Sequence, residues 1–280
     1  MKIKKLFSVL LVVAIISTLF YGCGGNSENE NVNNEQENQS KTIAVIAKGE
    51  SHAFWQAVKD GAEDAGKRYG YKITFRGPSS ENSSELPSQK EMVQTALSNN
   101  AAGLVVATIG EGFTDVLEQA YDKKIPVVRI MPNMPVAVGE GMILYTSNDF
   151  VSMEDVQGFL NSMQFAGVLD RIDEDKIDAA SCVSGCGPAF AFMFCEALAD
   201  GVVKCGLPRD KALLYAAQTL AGSATMLMET GEHPGKLKDA VCSPAGSTIE
   251  GVKALEDGAF RASAMNAVKM AYKRTLELFK

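Results

Sequence analysis

The amino-acid sequence predicts an α/β protein, with an open parallel sheet over about residues 42–180 and an all-α region over about 181–280. Three observations predict it. Short β-rich runs alternate with helix-length amphipathic segments from Lys41 to Ile130, the pattern of a parallel sheet covered on both faces. Strand-like runs continue to about Ile172. Beyond that, apolar residues recur at helical spacing almost to the C-terminus.

Taken in order, Thr42 to Ala47 is a β-rich run, and Ala53 to Tyr69 has helical spacing through Phe54, Val58, Ala62 and Ala65. Tyr71 to Phe75 alternates like a strand, and Leu86 to Ser98 is helical through Met92, Val93, Ala96 and Leu97. Leu104 to Ala107 reads as a buried strand, Phe113 to Tyr121 as a helix and Pro126 to Ile130 as a strand. Right-handed crossovers make this a Rossmann-like layer with ligands at the carboxyl ends of the strands. Met131-Pro132-Asn133-Met134-Pro135 is a proline-punctuated turn, and Gly141 to Tyr145 is a further strand. Ser152 and Asp155 have the spacing of a helix N-cap, for a helix running to about Phe165 with Gly167 as its stop.

In the helical region Ser184-Gly185-Cys186-Gly187-Pro188 opens a long helix whose Phe190, Phe194, Leu198 and Val202 share one face, and Gly206 ends it. The helix from Pro208 to Gly231 is apolar on more than one face. That fits burial against a partner subunit, and equally a central core helix. Ser247 and Glu250 have capping-box spacing, for a helix ending near Gly258.

Composition excludes several functions. A net charge of −7 argues against nucleic acid as a partner. No internal segment approaches the ~20 apolar residues needed to span a bilayer. The first 25 residues are different: Lys2, Lys4 and Lys5 precede an apolar run from Leu6 to Tyr21, and Gly22-Cys23 follows. This is the layout of a lipoprotein signal peptide with Cys23 as the lipidated residue, although Phe20 stands where leucine is usual. Residues 26–41, rich in Asn, Glu, Gln and Ser, read as a disordered tether. That makes the chain an exported lipoprotein that touches the membrane only through its anchor. The other cysteines, Cys182, Cys186, Cys195, Cys205 and Cys242, are odd in number and scattered, a usage of cytoplasmic type. With no CxxC pair and only two histidines, no metal site is expected. The front looks exported and the back looks cytoplasmic, which points to a fusion.

Within the front half the informative loop is Gly49-Glu50-Ser51-His52-Ala53-Phe54-Trp55. Phe54 and Trp55 are placed to stack on a sugar, with Ser51 and His52 as polar contacts, or else to pack the helix onto the sheet. From Thr42 to about Val128, through Ser51–Glu63, Pro87–Leu97 and Gly103–Thr108, the sequence resembles the first lobe of periplasmic sugar-binding proteins of the ribose and galactose type. Those proteins clamp a small-molecule ligand between two lobes, and the second lobe has no counterpart here.

The back half carries its strongest local chemistry at Ser243-Pro244-Ala245-Gly246-Ser247-Thr248. A helix start flanked by small residues and hydroxyls is suited to a carboxylate, and is also what a well-capped helix looks like. Arg129-Ile130-Met131-Pro132-Asn133, Ser184-Gly185-Cys186-Gly187-Pro188-Ala189, Gly206-Leu207-Pro208-Arg209, Gly231-Glu232-His233-Pro234-Gly235 and Cys242–Thr248 occur in the order and spacing of pyrroline-5-carboxylate reductase. From about Val128 to the C-terminus the chain resembles that family, with Cys186 for a usual Ser, Ala245 for Gly and Ser247 for Thr. The resemblance implies NADPH- or NADH-dependent reduction of 1-pyrroline-5-carboxylate to L-proline. It also implies a homodimer or higher homo-oligomer through the C-terminal helices. It makes Asn133 and Thr248 the catalytic candidates, and Ser243, Gly246, Ser247 and Thr248 the substrate contacts. Met131 and Asn133 would lie at the cofactor. The family's Gly-rich cofactor loop has no match, since no GxGxxG occurs in the chain, so impaired cofactor binding is expected. The expected organisation is a signal peptide (1–25), a linker (26–41), a binding-protein-like lobe (42–128), a remnant of the reductase sheet domain (129–180) and a helical dimerisation and substrate domain (181–280).

Overall fold

The computed structural model describes residues 42–278 except His52, Asn100, 110–112, 114, 115, 117, 119–121 and 123. The expected signal peptide, Cys23 and the tether lie outside the described residues, as do His52, the side chain of Phe54 and most of the helix expected over Phe113–Tyr121. A Rossmann-like parallel layer is followed by an all-helical region. The chain divides into two units, one ending at Ile177 and one spanning Asp178–Leu278.

The first unit begins with β1 (Thr42–Ile46), α1 (Ala53–Tyr69), β2 (Lys72–Arg76), α2 (Leu86–Ser98) and β3 (Gly103–Val106). The strands form a parallel sheet in the order β2-β1-β3, with Thr42 opposite Lys72 and Ile43 opposite Gly103. All residues of β1 except Ala44 are β-branched, which suits a central strand. Alternation along it feeds two cores. Val45 packs with Ala62 of α1 and Val105, while Ala44 and Ile46 pack with Val93 of α2 and Leu104. Each such aliphatic burial contributes about 1.5–3 kcal/mol.

The exception among these buried groups is Gln89 on α2, the one fully buried polar residue among those described. Its amide donates to the carbonyls of Ala47 and Ala107, both at 2.8 Å, and its Oε1 accepts from Ile109 N–H at 3.0 Å. One side chain thereby ties the exits of β1 and β3 to the helix that covers them.

The second sheet holds β4 (Val128–Met131), β5 (Gly141–Ser147) and β6 (Gly167–Arg171), with α3 (Met153–Met163) between β5 and β6. The pairing of β5 with β6 is parallel, and that of β4 with β5 is antiparallel, Val128 lying opposite Ser147. Too few residues separate Met131 from Gly141 for a crossover helix, and they form a tight 3-10 turn, Met134–Val138. Among the described residues no ladder joins β3 to β4, so the layer is two three-stranded sheets rather than one. The Ser152–Asp155 capping box is present in full. Tyr145 and Phe159 meet at 5.4 Å between ring centroids in the core of this sheet.

The second unit comprises α4 (177–184, starting at the boundary), α5 (Gly187–Lys204), α6 (Arg209–Thr230), α7 (Pro234–Val241), α8 (Ser247–Asp257) and α9 (Phe260–Leu278). Its cluster of buried residues is made of alanines, Ala199, Ala212 and Ala216. Leu198, Val203 and Leu207 pack around it, but many other large apolar side chains point outward: Leu214 is 62% exposed, Met193 69% and Met228 68%. Two expectations are corrected here. Ser247 is the first residue of α8 rather than its cap, because Gly246 takes the cap position, and no Ser247–Glu250 capping box forms. The stretch Glu174–Lys204 has the length and apolar composition of a membrane span, although charged residues such as Asp178 and Glu196 interrupt its apolar run.

Replacing Gln89 by Leu strands two carbonyls and one N–H in the core. Its expected cost is about 3 kcal/mol, at roughly 1 kcal/mol or more for each unsatisfied group. Urea unfolding followed by Trp55 fluorescence measures it, since Trp55 is the chain's one tryptophan and lies in the first unit.

Candidate functional site

In the second unit, Ser243-Pro244-Ala245-Gly246 is a turn closed by Gly246 N–H donating to the Ser243 carbonyl at 3.0 Å. Proline at the second position fixes φ negative, and Ala245 at the third has φ 54°, the combination found in type II turns. Glycine serves that third position best, and an L-residue there costs about 1 kcal/mol or more. Gly246 leaves room for Ser243: a Cβ on it would lie 2.3 Å from Ser243 Oγ, which would have to rotate, and 3.1 Å from the Ser243 carbonyl oxygen. The Ser243 hydroxyl therefore rests against the residue that caps α8.

No side chain caps α8. The N–H groups of Ser247, Thr248 and Ile249 form its first turn, where the helix dipole adds partial positive charge. Thr248 is half-buried, while Ser243 and Ser247 are exposed. This turn thus gathers Ser243, Gly246, Ser247 and Thr248 into one patch of backbone and hydroxyl donors, chemistry suited to a carboxylate. On α7 nearby in sequence, Lys238 is hydrogen-bonded to Asp239, which holds its pKa above the ordinary lysine value.

Asn133 and Met131 belong to the first unit. Met131 ends β4 opposite Leu144. Asn133 is half-buried in the turn that follows, and its Oδ1 accepts from Met142 N–H at 3.0 Å. That bond fixes the path from β4 into β5.

At the carboxyl ends of β1 and β2, the loop quoted for sugar contacts is closed by groups that the sequence did not single out. Glu50 Oε1 accepts from Gly77 N–H at 2.8 Å. A Cβ on Gly77 would lie 2.9 Å from the Gly49 carbonyl carbon, so the two loops touch backbone to backbone. Trp55 is half-buried, with its indole N–H donating to Glu81 Oε1 at 2.9 Å, and Ser51 is exposed. Glu50 stood in plain sight in the loop. Its use as a bond across loops has no signature in spacing.

Comparison with known proteins follows this division. The description "periplasmic binding protein domain" matches residues 43–153, and "pyrroline-5-carboxylate reductase dimerisation" matches residues 174–278. The pyrroline-5-carboxylate reductase of Escherichia coli is 41% identical over 191 residues, covering 68% of this chain and 71% of that protein. The chain belongs to the pyrroline-5-carboxylate reductase family. The Arabidopsis thaliana enzyme is 45% identical over 66% of each chain, and the bovine reductase 2 is 43% identical over 54% of its own length. In three dimensions the Plasmodium falciparum pyrroline carboxylate reductase, solved with NADP bound, matches 86% of this chain and all of its own, with a TM-score of 0.66 and 26% identity. The Coxiella burnetii reductase is comparable, at 0.65 and 25%. The 191-residue alignment reaches further upstream than Val128, so the reductase and binding-protein similarities overlap in the middle of the chain.

The family's nicotinamide dinucleotide does not fit the first unit. A pyrophosphate needs free N–H groups and open space at the turn after β1. Here that turn is pressed against Gly77 of the neighbouring loop, it holds the single glycine Gly49 in place of a glycine-rich loop, and Glu50 and Glu81 bring negative charge to the same rim.

Two substitutions test the turn in the second unit. Ala245→Gly is expected to stabilise the chain by about 0.5–1 kcal/mol by relieving the positive φ, net of glycine's entropy. Gly246→Ala is expected to destabilise it by about 2 kcal/mol through the clash with Ser243. Urea unfolding followed by circular dichroism reads both.

Proposed function

We propose that the chain binds a cyclic imino acid by its carboxylate at the Ser243–Thr248 turn, as a homo-oligomer assembled through its helical half. On this reading it does not complete the reduction for which its relatives are named. The observation that carries the proposal is the uncapped start of α8, with Ser243 packed on Gly246 beside it.

The carboxylate would accept from the first-turn N–H groups and from the Thr248 hydroxyl, with Ser243 and Ser247 at its edge. Gly246, having no side chain, lets the ligand approach the backbone. These groups orient the ring and neutralise its charge, which is the substrate side of the family's chemistry. The nicotinamide, when a relative holds it, supplies the hydride. Asn133 and Met131 are the residues that would face it, and here Asn133 already holds Met142. The closed, acidic rim at Glu50 and Glu81 favours neither NADPH nor NADH.

Assembly is supported by the exposed apolar faces of α5 and α6 and by an interior built of alanines. Cys23 is assigned to a lipid anchor on its sequence setting alone.

Titration calorimetry with L-proline should give saturable binding, and Thr248→Ala should weaken it about tenfold, near 1.4 kcal/mol. An unchanged affinity moves the carboxylate elsewhere. With pyrroline-5-carboxylate present, neither NADPH nor NADH should be oxidised; turnover at rates typical of enzymes overturns the proposal. Light scattering at tens of micromolar should give a dimer or larger, and a monomer counts against the assembly. Sedimentation of the processed chain with membranes checks the anchor.

A further inference from the structure

A separate opening in the first unit has no part in that reading. Between α2 and the face of β2 lies a cavity of about 500 Å³, within the range of small-molecule sites. The reason it exists is in the sequence. Ile73 and Phe75 of β2 turn toward the α1 side, into the core with Val45. Strand alternation sends Thr74 and Arg76 to the other face. The helix above contributes small or polar groups there, Ala96, Thr95 and Glu91, so no described side chain fills the space over the edge strand.

The lining is amphipathic in a specific way. Its apolar surface is Met92 of α2, half-buried, with the buried Ile46 of β1 behind it. Arg76 and Glu91 both line it, carry opposite charges, and form no ion pair with each other or with any described residue. Both are exposed to water, so a neutral ligand such as a sugar is tolerated but uses neither charge. A simple anion meets Glu91, and a simple cation meets Arg76. A molecule with a carboxylate, a cationic nitrogen and a short aliphatic body matches all three features. Arginine offers the carboxylate a planar two-toothed donor.

We propose that this cavity binds a small zwitterion, an amino or imino acid, with its carboxylate on Arg76, its ammonium on Glu91 and its aliphatic part on Met92. The site is independent of the Ser243–Thr248 turn, since every residue that lines it belongs to the first unit.

The test uses the full chain labelled with ¹³C at its methionine methyls, with the Met92 signal identified through Met92→Leu. It is titrated with L-leucine and L-proline, and with two matched controls, 4-methylpentanoate and 3-methylbutylamine, each lacking one charge. The expected result is a saturable shift of Met92 with at least one of the two amino acids, at least tenfold weaker with either control. Arg76→Gln and Glu91→Gln should each weaken it at least tenfold, and Thr248→Ala should leave it unchanged. No Met92 shift up to 10 mM, on the order of the weakest specific binding, overturns the proposal. So does a shift of equal affinity with the controls, or one that survives both substitutions. Loss of the Met92 response in Thr248→Ala would show that the two sites are not independent and overturns the proposal. Failure of proline binding at the turn alone leaves this site standing, because Met92 reads only the first unit.

Discussion

Gln89 commits both amide hydrogens and an oxygen lone pair to Ala47, Ala107 and Ile109, and so sets what the first unit can present at the carboxyl ends of its strands. Parallel α/β layers ordinarily place ligands where neighbouring strands send their connections to opposite faces. Here that point lies between β1 and β3, and the two strand exits are bound to one buried carboxamide. The contact of Gly49 with Gly77 and the bonds of Glu50 and Glu81 close the adjoining loops in the same manner. The edge is therefore ordered by internal carboxylates and an amide, where a dinucleotide would need unoccupied donors.

The second unit has the opposite character. Its donors at the start of α8 are left without a side-chain cap, and many of its large apolar groups are left exposed. Both features make sense for surfaces that meet something else, a carboxylate in one case and another helical surface in the other. The membership shown by the Escherichia coli relative agrees with this placement of polar and apolar groups. The two halves thus differ in completeness: the start of α8 keeps open donors, while the described strand exits of the first unit are bonded to groups of the chain itself.

Much of this architecture is legible in residues. Spacing gives α1 and α2 to the residue, and Ser152 with Asp155 gives the start of α3. Gly206 and Gly231, both with positive φ, mark helix ends as their sequence setting implies. Other features escape for physical reasons. Gln89 is a polar residue in an amphipathic helix and reads as a surface position, because its partners are carbonyls in distant loops. The antiparallel pairing of β4 with β5 depends on the length of a turn rather than on strand composition. Ser247 and Glu250 have the right spacing for a box, but a cap is decided by backbone angles, and Gly246 has them. At the candidate turn, the departure of Ala245 from glycine is visible in sequence, while the strain it carries is visible only in its φ.

An interior made of alanines also has a consequence for how the second unit holds together. Alanine burial yields little of the hydrophobic free energy that must offset the ordering of long helices such as α5 and α6. If the missing area is supplied by another copy, folding and association become a single equilibrium governed by mass action. The helical half then has no fixed melting point of its own: its stability rises with chain concentration. A newly made copy at low abundance would be the species most exposed to proteases and to non-specific aggregation.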